Sequence, residues 1–175
     1  LQYRFAVFGR GWEGQPRFKA HWGGIAPYEV LPSIYRRSRI VIDDANRVTK
    51  RWGSLNSRVF DALASGALVI TNGAEGAREV FGDLLPIYGD AEGLERELKR
   101  YLQEPGRLAS DAAALRDRVL SGHTYRHRAR ELQRILIEFS ERAWRFAIKV
   151  PAPRRSEAHV WGDYHFARSL ARELT

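Results

Sequence analysis

An α/β fold, with a parallel sheet flanked by helices, is the class this sequence predicts, and three observations predict it. Short apolar runs of strand length alternate with helix-spaced segments over about 100 residues, the order expected of βαβ units. Ala67-Leu68-Val69-Ile70-Thr71 is apolar almost without a break, as a strand covered on both faces requires. The 175 residues, 44% hydrophobic and 29% charged, suit one soluble α/β domain of ordinary size and leave little room for two.

Taken in order, Tyr3-Arg4-Phe5-Ala6-Val7-Phe8 reads as a strand closed by Gly9-Arg10-Gly11. A second glycine turn, Gly23-Gly24, and Pro27 lead into a helix over 28–37 with Val30, Leu31 and Ile34 on one face. Arg39-Ile40-Val41-Ile42 reads as a buried strand ending in Asp43-Asp44. Asn56 or Ser57 can cap the next helix, whose apolar face is Val59, Phe60, Leu63 and Ala64, and Gly66 supplies a left-handed stop. After the strand at 67–71, Asn72-Gly73 turns the chain into a short helix over 75–81, and 84–88 reads as a further strand. Asp90 caps a helix carrying Leu94, Leu98 and Leu102. Two helices follow, at 106–120 and 124–143, the second capped by Thr124. A strand at 147–150 broken by Pro151 and Pro153, a polar linker, and a helix over 163–174 with Phe166, Leu170 and Leu174 on one side complete the chain.

Composition removes several classes. Without Cys there is no disulfide scaffold, thiolate metal site or cysteine nucleophile. No apolar run approaches the roughly 20 residues of a membrane-spanning helix, and no signal peptide opens the chain, so a cytoplasmic location is expected. The absence of Met implies that Leu1 was cut from a longer polypeptide. The net charge of +8 is concentrated in residues 121–155. Only Lys19, Lys50, Lys99 and Lys149 among the 29 basic residues are lysine, an arginine bias that fits a GC-rich genome as well as phosphate recognition.

Few motifs carry chemistry unaided. Gly9-Arg10-Gly11 can present N–H groups to a phosphate but lacks the third glycine and downstream acid of a dinucleotide fingerprint, so a plain turn fits as well. No phosphate-binding G-x-x-x-x-G-K-[ST] run is present. His123 and His127 are an i, i+4 pair without an intervening glutamate, which reads as a solvated helix face, and no metal site is expected. The basic helix bears Arg126, Arg128, Arg130, Arg134, Arg142 and Arg145. An anionic membrane surface is one peripheral partner such a face admits; no base-reading motif supports nucleic acid. Its apolar stripe of Leu132, Ile135, Leu136 and Phe139 argues for a docked helix with a solvated basic face. Arg58 and Asp61, three apart near a helix start, share a non-apolar face. They read either as a salt bridge or as a site at the open end of the sheet, where an arginine meets a diphosphate and a carboxylate the cis-hydroxyls of a ribose.

The run from Leu55 to Asn72, with Arg58-Val59-Phe60-Asp61-Ala62-Leu63-Ala64-Ser65-Gly66 at its centre, resembles the donor-binding core of retaining GT-B glycosyltransferases. It is most similar to the spore-maturation-protein-like branch, whose signature runs R-x-F-E-A-L-A-x-G. Residues 24–38, Gly76-Ala77-Arg78-Glu79-Val80-Phe81 and His123-Thr124-Tyr125-Arg126-His127-Arg128 also match that branch in order and spacing, so that the resemblance covers about residues 3–140.

This resemblance implies a Rossmann-like donor domain, one half of a GT-B fold, over 1–145. It also implies metal-independent transfer of a sugar from a nucleoside diphosphate sugar to a carbohydrate or other hydroxyl acceptor. Asp61 takes the place of the ribose-holding glutamate and Arg58 that of an arginine near the diphosphate, with Asn56 and Ser57 at the same helix start. Ile25 and Ala26 fall beside the base, and Gly73 and Ala74 on the loop facing the sugar-phosphate. Gly9 and Arg10 stay candidates on the residues alone, as a glycine turn after a strand that can face a phosphate. The catalytic groups acting on the acceptor are expected on a partner domain, so that this chain binds donor without turnover.

Three departures accompany it. Asp61 is one methylene shorter than glutamate, Ser54 stands where the broader family has an acid, and the family's opening strand before Tyr3 is absent. A sheet edge left open in this way would be covered by the 147–150 strand in cis or by a second copy in a dimer. Residues 146–175, with Trp161-Gly162-Asp163-Tyr164-His165-Phe166, resemble the first strand and helix of a following glycosyltransferase module. The rival readings are a non-catalytic nucleotide-binding α/β module and a basic domain that binds nucleic acid or an anionic surface.

Overall fold

Among the described residues the sheet expected to run through the chain is built from two strands, and helices supply most of the rest. The computed structural model describes residues 3–138, 148, 156, 159 and 162–174. Helix α1 (Leu31–Arg37) follows a 3-10 turn at Tyr28–Val30 and precedes strand β1 (Ile40–Asp43). Helices α2 (Arg47–Arg51) and α3 (Ser57–Ala64) lead to strand β2 (Leu68–Thr71). Then come α4 (Ala74–Phe81), α5 (Ala91–Gln103), α6 (Pro105–Gly122), α7 (Tyr125–Glu138) and α8 (Gly162–Leu174). Strands β1 and β2 pair in parallel with Ile40 opposite Leu68 and Asp43 opposite Thr71. This is a helix-rich α/β fold with a small parallel sheet.

Two expected strands do not form ladders. Residues 3–8 are extended and alternately half-buried and exposed, but they pair with 21–24 rather than with the sheet. Val7 makes a single parallel bridge to Trp22, and Gly9, at φ 112°, ends the run in a conformation that favours glycine. The run at 84–88 also makes one bridge, Thr71 to Ile87. Pro86 accepts from the Thr71 N–H but has no N–H to return, so the ladder stops. The opposite miss is α2. Asn46 caps it by accepting from Thr49 N–H at 2.9 Å, but Val48 is 65% exposed and the helix carries no apolar face to betray it. The strand expected at 147–150 lies outside the described residues apart from Ile148, as do Phe139, the Leu174 side chain and most of the linker.

The core sits where α3 and α6 pack on β2. Val59, Ala62 and Leu63 of α3 meet Leu68, Val69 and Ile70, and Leu115 and Val119 of α6 close the far side. All of these are buried. Each large side chain so buried contributes about 1.5–3 kcal/mol. The cap on α3 is Asn56, whose Oδ1 accepts from the Arg58 N–H at 3.0 Å, and Asp90 caps α5 the same way through Gly93 N–H at 2.7 Å. Helix α7 is less enclosed than its stripe predicts. Ala129 is its buried residue among those described, Ile135 is exposed, and α8 packs along it.

Candidate functional site

Parallel strands end together, and here the carboxyl ends of β1 and β2 bring Asp43, Thr71, Asn72 and Gly73 into one place. Asp43 is fully buried. Its Oδ2 accepts from the Thr71 hydroxyl at 2.8 Å, and the same hydroxyl accepts from Gly73 N–H at 3.0 Å. Gly73 is the cap residue of α4, so the strand ends and the helix start are tied together. The Ala74 and Glu75 N–H groups of the first turn have no partner within the helix. Asn72 bridges the other way, accepting from Ala45 N–H at 2.7 Å and donating to Asp44. The Tyr88 hydroxyl donates to the Asp43 carbonyl at 3.3 Å, and burial beside Asp44 and Asp43 pushes it up to about 12.

Helix α3 starts beside these strand ends and presents two charges. Arg58 turns toward the sheet, its Nη1 3.7 Å from Asp43 Oδ1. Asp61, one turn on, turns away from it and lines a cavity of about 280 Å³ with Ser57, Phe60, Thr124, Tyr125, Arg128 and Phe166 among its walls. The two expected partners are therefore neighbours on one helix and not an ion pair with each other. Tyr35 is buried on α1, and burial raises its phenol.

Burial pushes the Asp61 carboxyl from 3.8 to about 6. Around it the Tyr125 hydroxyl donates to that of Tyr28, and burial together with the Asp61 charge raises both phenols. The Tyr28 ring stacks on His165 of α8 with centroids 3.9 Å apart, and Phe166 meets Tyr125 edge-on. Arg128 donates to His123 Nδ1 at 2.7 Å, which places the His123 proton on Nε2 when the ring is neutral. Burial and the Arg128 charge both lower the His123 pKa. A carboxylate, several hydroxyls and aromatic walls in one cavity suit a hydroxylated ligand with a flat ring. Arg58 and the first turn of α4, whose leading N–H groups are not used within the helix, suit an anion.

The remaining expected residues are more scattered. Asn56 is engaged as the α3 cap, while Ser57 reaches the cavity wall. The Gly9 N–H donates to the Gly24 carbonyl at 3.0 Å and its carbonyl accepts from Trp22 Nε1, so Gly9 offers a ligand conformation and no free donor. Arg10 and Ile25 are exposed, and Ala26 half-buried, on the N-terminal segment that leads through Pro27 to Tyr28. His127 Nδ1 lies 2.8 Å from Thr124 Oγ1 and accepts from the Thr124 N–H, closing the start of α7. The basic face of α7 is partly neutralised, by Arg128–Glu131, Arg134–Glu138 and Arg126–Glu173.

Sequence reasoning passed over Asp43, Thr71, Tyr28 and Tyr125 as site residues. An acid at the carboxyl end of a buried strand is a signal that could have found Asp43. The tyrosines converge only through the tertiary fold. Among the described residues no three His, Asp or Glu side chains gather as metal ligands, and no helix is long and apolar enough to cross a membrane.

The family model described as glycosyl transferase-like matches residues 1–134. No curated protein and no solved structure matches the chain.

Proposed function

Because the chain belongs to the glycosyl transferase-like family, we propose that it is the donor-binding part of a GT-B glycosyltransferase of the spore-maturation-protein-like branch. It would take a nucleoside diphosphate sugar on a Rossmann-like donor domain and pass the sugar to a hydroxyl acceptor. The observation that carries this reading is the arrangement of α3. One turn holds an arginine at the carboxyl end of the parallel strands and a half-buried carboxylate in a cavity of about 280 Å³.

The chemistry follows from the residues. Above pH 6 the ionised Asp61 accepts two hydrogen bonds from the cis-hydroxyls of the ribose. Arg58 meets the diphosphate with its remaining guanidinium donors, and the first turn of α4 adds N–H groups and the positive end of its dipole. Charge building on the leaving diphosphate is stabilised by these fixed groups, so the reading requires no bound metal. The base would lie toward Ile25, Ala26 and the tyrosines that follow Pro27. A regulatory, non-catalytic module predicts Arg58 and Asp61 paired with each other; Arg58 instead faces Asp43.

Thermal unfolding with millimolar UDP, GDP, ADP and dTDP tests the proposal on wild type and Asp61→Ala. A nucleotide at about 100 times its Kd adds about 2.7 kcal/mol, several degrees for a chain of this size. A rise with one base that disappears in Asp61→Ala is the expected result. No rise with any of the four, or one that persists in the variant, overturns it.

A further inference from the structure

Asp43 carries the one buried side-chain oxygen among the described residues that lacks a hydrogen-bond partner. Stranding a carboxylate oxygen in the interior is costly, and an apolar residue would avoid that cost. Everything else about Asp43 is fixed. Its Oδ2 is held by the Thr71 hydroxyl, and its carbonyl takes the Tyr88 hydroxyl and the Asn72 N–H, each at 3.3 Å. The stranded Oδ1 faces Arg58 Nη1 at 3.7 Å, within ion-pair reach but too long for a hydrogen bond. Arg58 is half-exposed and rooted in the first turn of α3. Through Thr71 Oγ1 the same carboxylate is tied to Gly73 N–H at the start of α4.

We propose that Asp43 is a positioning residue for Arg58. Its immobile, fully buried charge sets the guanidinium at the carboxyl end of the strands, so that Arg58 and the first turn of α4 are held ready for one diphosphate. The inference rests on the donor-binding reading and extends it to a residue that contacts no ligand. The geometry explains both the buried charge and its empty oxygen. One oxygen anchors the strand ends, and the other is kept for the arginine.

The test uses the full chain as wild type, Asp43→Asn, Arg58→Gln and the double variant. Asn keeps an oxygen for the Thr71 hydroxyl and removes only the charge; Asp43→Ser, smaller still, replaces it if the Asn variant does not fold. Each protein is titrated with the nucleoside diphosphate selected by the thermal panel and with the corresponding nucleoside. In parallel, phenylglyoxal modification of Arg58 is followed by peptide mass spectrometry. Loss of the Asp43 charge is expected to weaken diphosphate binding about tenfold and leave nucleoside binding unchanged. It should add nothing once Arg58 is Gln, and should speed Arg58 modification several-fold. Equal weakening of nucleoside and diphosphate, additive losses in the double variant, or an unchanged modification rate overturns the inference. Failure of the wild type to bind any of the four nucleotides overturns the donor reading itself, while the modification rate separately reports whether Asp43 holds Arg58.

Discussion

Asp61→Asn is expected to stabilise this protein, and to do so only where the carboxylate is charged. Burial lifts the Asp61 carboxyl from 3.8 in the open chain to about 6 in the fold. Between those values the native state binds more protons than the unfolded one. Stability therefore falls as pH rises through this window and levels off above about 6. The rise corresponds to at most about 3 kcal/mol, and solvent reaching the cavity reduces that to about 1–2 kcal/mol. The neutral, isosteric amide escapes this penalty. Urea unfolding of both proteins from pH 4 to pH 8 should give nearly equal stabilities at the acid end. At pH 8 the variant should lead by about 1–2 kcal/mol, or about 2–8 °C in Tm for a chain of this size. The same variant should bind the nucleotide more weakly, since a carboxylate retained at a cost in stability is what a ligand site exhibits. A difference independent of pH, or a variant less stable at pH 8, would refute the reasoning.

Two further predictions concern the frame around the site. Gly76→Ala would place a Cβ 2.5 Å from the Gly53 carbonyl oxygen and 2.9 Å from the Leu55 N, both backbone atoms. The loop before α3 must then shift, at about 1–3 kcal/mol, which denaturant unfolding would register. Asn56→Ala and Asp90→Ala each remove a helix cap, at about 1 kcal/mol apiece. Only the Asn56 variant should also weaken nucleotide binding in calorimetric titration, because α3 carries Arg58 and Asp61 while α5 carries neither.

Local signals in the sequence determined the helices from α3 to α8 and both paired strands. Their causes are short-range: Asn56 and Asp90 cap, Gly66 stops with positive φ, and the run at 67–71 is too apolar to be anything but covered. That Arg58 and Asp61 share one helix start was legible too, but their spacing left a salt bridge and a ligand site equally open. Pairing between strands was not legible, since whether an apolar run joins a ladder depends on what lies beside it. Residues 3–8 had 21–24 to fold back on, and Pro86 left 84–88 with one bridge. Tertiary structure alone decided how the two charges divide. It set Arg58 against Asp43 across 15 positions of sequence and walled the Asp61 cavity with Tyr125 and Phe166, from helices far along the chain. Long-range electrostatics of this kind leave no periodicity in the sequence. They exist once packing has fixed the distances and removed the water.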